Sequence, residues 1–237
     1  MKKLIVFLVK LIIIVVIMLG IISAPIIYSG YDMYKKALEQ MPITEKVEEI
    51  RSKEYYTTID KLPKMYINAV IAVEDHRFYQ HEGIDIIAIC RAIYNDIKAK
   101  ELKEGGSTIT QQLAKNIYFT QERTAKRKIA EIFMANKIEQ QLDKDTIFEL
   151  YVNTSYFGDG YYTIKEASEG YFNKLPIELN DYEATLIAGI PNAPSVYAPT
   201  KNLDLAHQRQ KQVLNAMLEH GYISQEEYDE IINKQTK

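Results

Sequence analysis

VEDHRFYQHEGID, residues 73–85, is the stretch on which the reading of this chain turns. Ahead of it, after Pro63, the residues Tyr66, Ala69, Val70 and Val73 recur at helical spacing, and the pattern then breaks into charged, aromatic and glycine residues. The spacing predicts a packed helix that ends at Glu74. A carboxylate in that place is held by a rigid element yet open to solvent, as a reactive group requires, so Glu74 is the candidate general base. The bland reading is a solvated helix end or a salt-bridged corner, and this stretch alone does not choose. Beyond it, Asp85 can cap a helix that turns Ile86, Ile89, Cys90, Ile93 and Ile97 inward and breaks at Gly105 and Gly106.

The 237 residues, 47% hydrophobic and 26% charged, fit one globular domain with an appendage. A net charge of -3 and a pI near 5.9 leave no overall basic footprint, which argues against a nucleic-acid partner and makes any anion site local. The single cysteine, Cys90, lies on the expected apolar helix face and reads as a buried structural thiol. From Asp60 onward the pattern is helical, with no alternating strand runs and no internal repeat, which predicts a mainly α fold.

Lys10 is the only charge from Leu4 to Tyr28, and about 20 apolar residues cross a hydrocarbon core. We expect a membrane anchor over 11–28, beginning as early as residue 4, with residues 1–10 as a cytoplasmic N-terminus. Lys2, Lys3 and Lys10 precede it, so the rest of the chain is expected outside the cytoplasm. A signal peptide cleaved near Ser23-Ala24 is the rival, disfavoured by the length of the apolar run and by Pro25. Residues 29–59, polar and charge-mixed, read as a connecting stalk, and 60–237 as the catalytic body.

After Gly105 and Gly106, Ser107 can cap a helix with an apolar stripe (Ile109, Leu113, Ile117) and a polar one (Thr108, Gln111, Gln112, Lys115). Such a face suits a phosphate or sugar ligand, although every exposed helix has a polar face. The next helix repeats Ile129, Ile132, Ala135, Ile138 and Leu142 as a packed stripe, with Arg123, Arg127, Lys128 and Glu131 off it. Arg127 and Glu131, four apart, pair plainly as an i,i+4 ion pair; the functional reading is a basic cluster that holds a diphosphate. Asp143 can cap the helix bearing Glu149 and Tyr151, Asn180 and Glu183 read as a cap, and Ser224 with Glu227 as a capping box.

Taken in order, Glu74-Asp75-x-x-Phe78-x-x-His81-x-Gly83, then Gly105-Gly106-Ser107-x-Ile109-Thr110-Gln111-Gln112-x-x-Lys115-Asn116, then Arg127-Lys128-x-x-Glu131, then Glu149-x-Tyr151-x-Asn153 resemble the motif series of the peptidoglycan glycosyltransferases of family 51. The likeness runs from about Pro63 to Met217, and the length is most similar to the monofunctional, membrane-anchored form. The resemblance implies a helical, lysozyme-like body with a smaller membrane-proximal lobe. It further implies polymerisation of lipid II into glycan strands on the extracytoplasmic face of the bacterial cell membrane. Glu74 matches the family's base and Glu131 its second acidic residue. Asp75, Phe78, His81, Ser107, Thr108, Gln111, Gln112, Lys115, Asn116, Arg123, Arg127, Lys128, Glu149 and Asn153 are implied to bind or brace the substrate. A divalent cation, Mg or Mn, is implied at the diphosphate, with no organic cofactor; the expected partners are lipid II, the growing strand, membrane lipid and other wall-building proteins.

Ala130 stands where many members place a lysine, and Thr163 and Asn173 where glycines are common. His76 and His81, five apart, do not share a helix face, so no zinc-protease spacing is present and His81 reads as a turn residue. His207 and His220 read as surface residues. Ile117-Tyr118-Phe119 reads equally as a membrane-dipping cluster or as packing. Two other functions stay open at this point: a lytic, muramidase-like enzyme that cleaves glycan, and a non-catalytic membrane-tethered scaffold.

Overall fold

A computed structural model describes residues 2–99, 106–120, 122 and 124–236. It is mainly α, and no strand occurs among the described residues. The helices are α1 (Lys2–Gln40), α2 (Ile43–Arg51), α3 (Lys64–Glu74), α4 (Ile86–Ala99), α5 (Ile109–Tyr118) and α6 (Ala125–Glu139). They continue as α7 (Lys144–Val152), α8 (Ile164–Phe172), α9 (Asp181–Gly189), α10 (Pro194–Tyr197), α11 (Leu203–Glu219) and α12 (Gln225–Asn233).

The apolar periodicities drive two packed groups that share one core. Helix α3 lies against α9 and α11, while α5 lies against α6 and α7. Between them Tyr66, Ile109, Leu113, Met134, Ile138, Phe148 and Leu214 are fully excluded from solvent. Each such side chain contributes roughly 1.5–3 kcal/mol by leaving water. Phe78, expected at the substrate, belongs to this core, with Phe148 6.3 Å away and the Lys144 ammonium 4.6 Å above its ring. A large apolar ring is more stable there than in a polar cleft.

Capping fixes the helix ends. Asp85 accepts from Ala88 N–H, Asp143 from Thr146 N–H, and capping boxes close α9 (Asn180, Glu183) and α12 (Ser224, Glu227). The cap of α5 is Thr108 rather than Ser107. Thr108 accepts from Gln111 N–H at 3.1 Å, Gln111 Oε1 accepts from Thr108 N–H at 3.0 Å, and Thr108 donates to Gly83 O at 2.7 Å. Thr163 caps α8, and Asn173 ends it in the left-handed region at φ 52°, which asparagine tolerates where glycine is usual. Gly83 has φ +74° and stands so close to α6 that a Cβ would come within 3.1 Å of Ala135 C and Asn136 N. The glycine of the opening stretch is thus set by two constraints at once.

Two expectations about the periphery need correction. The stretch 29–59 is not a free stalk: α1 continues to Gln40 and packs on α6, and Ile43, Val47 and Ile50 of α2 lie in the core. Its apolar residues are few but fall on one helical face, which overall polarity conceals. On α4, Ile86 is 71% and Ile87 58% exposed and Cys90 is exposed, because that helix turns this face away from the body. Ile93 and Ile97 have side chains outside the described set. Ile117, Tyr118 and Phe119 pack against the core, and Tyr118 donates to Met41 O at 3.2 Å, so this cluster is packing.

Among the described residues one helix, over Phe7–Gln40, is long and apolar enough to cross a membrane, and apolar residues of its first half, such as Phe7, Ile13 and Ile21, are exposed. Its outer end meets α6 at Gly30, where a Cβ would fall 2.6 Å from the Ile129 side chain and 2.8 Å from Lys126 O. Tyr31 and Tyr34 extend this seam onto Phe133 at ring distances of 5.2 and 5.8 Å. Gly30→Ala is expected to force the two helices apart and to destabilise the fold by about 1–3 kcal/mol. A lowered thermal unfolding midpoint of the full chain in detergent checks this; an unchanged midpoint means the seam carries no stability.

Candidate active site

Helix α3 ends at Glu74 because Asp75 leaves the helical region, at φ -162° and ψ 72°. The Asp75 side chain then ties two elements together. It accepts from His81 Nε2 at 2.9 and 3.0 Å and from the Ile109 N–H at 3.0 Å, the first residue of α5. The turn after the base is thereby fixed to the helix that carries Gln112 and Lys115.

Glu74 lines a cleft of about 610 Å³, along with Asp75, Ser107, Thr108, Gln112 and Lys115. Gln112 Nε2 donates to Glu74 Oε2 at 2.8 Å. Gln112 in turn accepts from the Tyr151 hydroxyl at 3.3 Å, so its amide is oriented with the NH2 toward the carboxylate. Tyr151 is buried, and desolvation, followed by the charge of Glu74, drives its phenol well above the usual range, so it stays a donor. Tyr151 is therefore both core and support of the site.

The other oxygen, Glu74 Oε1, accepts from Arg209 Nη2 at 3.1 Å. Arg209, on α11, lies over Gly189, where a Cβ would come within 2.9 Å of its Cγ, and it also donates to Gln212 at 2.9 Å. Nothing in the opening motifs points to it. The signal was an arginine, Arg209, inside the otherwise apolar spacing of Ala206, Val213, Leu214 and Met217. At 9% exposure it is a buried charge, and buried charges are held by a partner.

His76 and His220 were also missed as a pair. Their rings stack at 4.2 Å and 10° at one end of the cleft, with Arg91 Nη1 3.4 Å from His76 Nε2. Burial first, then His220 and Arg91, hold the His76 imidazole below its usual range, which favours the neutral ring.

Lys115 forms no hydrogen bond or ion pair among the described residues and points into the cleft. Desolvation is the largest effect on it and lowers its pKa, while Glu131 opposes the shift. Beside it, Lys128 donates to Ser107 at 2.7 Å and to Glu131 at 3.0 Å, and Arg127 donates to the other oxygen of Glu131. Glu131 itself is 2% exposed and does not line the cleft. It is a positioning residue for two cations rather than a second catalytic acid. With both oxygens taken by cations, it does not suit a divalent ion. The described groups within metal-ligating reach of one another are instead Asp75, His81 and Asp85. Asp75 is already occupied there. Arg77 Nε stands 3.0 Å from Asp85 Oδ2, close enough for an ion pair though neither atom has a hydrogen-bond partner, and its charge opposes a cation. Neither place fits a resident metal.

The remaining sequence candidates fall away from the base. Gln111 is buried in the α5 cap, and His81 braces the turn. Glu149 accepts from Tyr56 O–H and Ile59 N–H, and Asn153 exchanges hydrogen bonds with Thr57 at 2.8 Å, so both fasten the α2–α3 connection to α7. Asn116 faces a different cavity, and Arg123 lies outside the described residues.

A carboxylate anchored on both oxygens, facing a polar cleft with an ammonium that forms no ion pair among the described residues, is equipped to take a proton from a hydroxyl while an anion departs. The profile of the Transglycosylase family matches residues 39–218. Penicillin-binding protein 1A of Aquifex aeolicus (strain VF5) is 48% identical over 182 residues, which are 77% of this chain and 25% of that protein. The penicillin-binding protein 1A of Neisseria lactamica is 45% identical over 180 residues, 76% of this chain and 23% of its own. A crystal structure of penicillin-binding protein 1A from Haemophilus influenzae aligns over 75% of this chain and 17% of its own, at 24% identity and a TM-score of 0.44. The chain belongs to the transglycosylase family. It spans about a quarter of the length of the curated relatives it matches.

The lowered pKa of Lys115 gives a pH dependence with a definite sign. A lysine is charged below its pKa, so as pH rises the ammonium is lost earlier here than at the ordinary value of about 10.4. Affinity for inorganic diphosphate, a simple anion probe of the cleft, is expected to weaken between neutrality and that value. Lys115→Arg, charged throughout, is expected to flatten the fall. Titration calorimetry across this range checks it; the same fall in both proteins removes Lys115 from the anion site.

Proposed function

We propose that this protein is a peptidoglycan glycosyltransferase that joins lipid II units into glycan strands. The observation that carries the reading is Glu74, held by Gln112 and Arg209 at the edge of a cleft that Lys115 also lines. Membership of the transglycosylase family supports it.

In the reaction, the 4-hydroxyl oxygen of the acceptor sugar attacks the anomeric carbon of the donor. Its proton passes to Glu74, the new glycosidic bond forms, and the bond to the diphosphate breaks with its electron pair leaving on oxygen. Gln112 and Arg209 keep the carboxylate aimed, and positioned proton transfer contributes about 10²- to 10⁴-fold. The leaving diphosphate is already stable, so the protein supplies positive charge: Lys115 in the cleft, with Lys128 and Arg127 set by Glu131.

The apolar first part of α1, residues 11–28, serves as the membrane anchor, and the lysines ahead of it favour placement of the catalytic body outside the cytoplasm, where a lipid-linked donor is reached. The seam between α1 and α6 links that anchor to the helix bearing Arg127, Lys128 and Glu131.

Purified full chain in detergent is to be given lipid II in one reaction and preformed, uncrosslinked glycan in another. Ladder growth from lipid II and an unchanged glycan are the expected results. Shortening of the preformed glycan without growth would assign the cleft to cleavage instead.

A further inference from the structure

Helix α5 contributes to two cavities. Gln112 and Lys115 face the cleft, while the next residues, Asn116 and Ile117, face a second cavity of about 420 Å³ bounded by α2, Tyr55, the end of α7 and the start of α8. Glycosyl transfer at Glu74 makes no use of it.

This second cavity is built in advance. Asn153 at its floor makes three hydrogen bonds of 2.7–2.8 Å, to both backbone groups of Thr57 and to Glu149 O. The Tyr162 N–H donates to Glu166 at 2.8 Å, and the Lys165 ammonium lies 5.3 Å from the Tyr55 ring centre, which links α8 to the segment after α2. A ligand here does not have to order the walls.

Its chemistry differs from that of the cleft. Lys46 is paired with Glu49 at 2.6 Å, and the lining also holds one further charge of each sign, Lys53 and Glu166, so the lining charges cancel and give no preference for a phosphate. Two tyrosine rings stand at the opening, Tyr55 39% and Tyr162 60% exposed. Tyr156 backs Tyr162 at a ring distance of 4.8 Å and 34°, which limits its motion. The Asn116 side-chain amide has no hydrogen-bond partner among the described residues and offers a donor and an acceptor side by side. Rigid aromatic faces, an open amide and balanced charge suit a neutral ring with apolar C–H faces and equatorial hydroxyl or acetamido groups.

We infer that this cavity binds a saccharide, a short run of N-acetylated amino sugars, at a site separate from the catalytic cleft. Resting on the glycosyltransferase reading, the natural occupant is a length of glycan strand held by the protein away from Glu74 between additions. A zwitterionic peptide is the competing occupant for a balanced Lys/Glu lining, but it makes less use of the paired rings.

The test uses the full chain in detergent and tetra-N-acetylchitotetraose as the probe, with affinity read by titration calorimetry or saturation-transfer NMR. Tyr162→Ala is expected to weaken binding by roughly tenfold, the scale of one well-placed aromatic contact, while Tyr162→Phe and Glu74→Gln bind like the parent. Tyr162 is exposed, and an unchanged unfolding midpoint for Tyr162→Ala verifies that the fold is kept. Equal affinity for the parent and Tyr162→Ala, or no measurable binding, overturns the inference. So does a stem pentapeptide that binds in place of the sugar and is lost in Tyr162→Ala. The measurement needs no turnover, so failure to polymerise lipid II overturns the activity and not this site.

Discussion

Three helices meet at one carboxylate. Glu74 comes from the end of α3, Gln112 from α5 and Arg209 from α11, and the contacts of 2.8 and 3.1 Å can all exist only if these helices keep their mutual packing. Charge and burial make this a stringent condition: Arg209 and Glu74 are both largely withdrawn from solvent, so removal of either would leave the other exposed to the cost of an unpaired buried charge. The apolar core beneath them, with Tyr66, Leu113, Phe148 and Leu214, is what holds the geometry, and Tyr151 passes that order on to Gln112. Catalytic placement here is a consequence of core packing rather than of a loop.

The same logic runs through the basic side of the site. Glu131 is buried between Arg127 and Lys128, and Lys128 reaches Ser107 at the entrance of α5. Because α1 packs along α6, the helix that would enter a membrane is joined directly to the helix that sets these cations.

Much of this was legible in the residues. Helical periodicity around Pro63 to Val73 located the end of α3 and hence Glu74, and the caps at Asp85, Asp143, Asn180 and Ser224 follow from side chains that satisfy free N–H groups. What failed was direction. Phe78, Gln111 and His81 sit in the right motifs but face the core or the turn, because a motif constrains folding as well as chemistry. Arg209 and His220 lie more than a hundred residues from Glu74, and only tertiary packing brings Arg209 onto its carboxylate and His220 to the same cleft. The outward face of α4, read as buried, shows that an apolar stripe reveals a helix but not what covers it.

In the proposed reaction Glu74 removes the acceptor proton rather than serving only to hold the fold. Glu74→Gln keeps the side-chain shape, abolishes the base and leaves the Arg209 charge unpaired, so steady-state polymerisation of lipid II is read beside equilibrium binding of lipid II and the unfolding midpoint to separate the two roles. We expect the rate to fall by about 10²- to 10⁴-fold with affinity changed by no more than a few-fold. A variant that polymerises at near the parent rate would contradict the account.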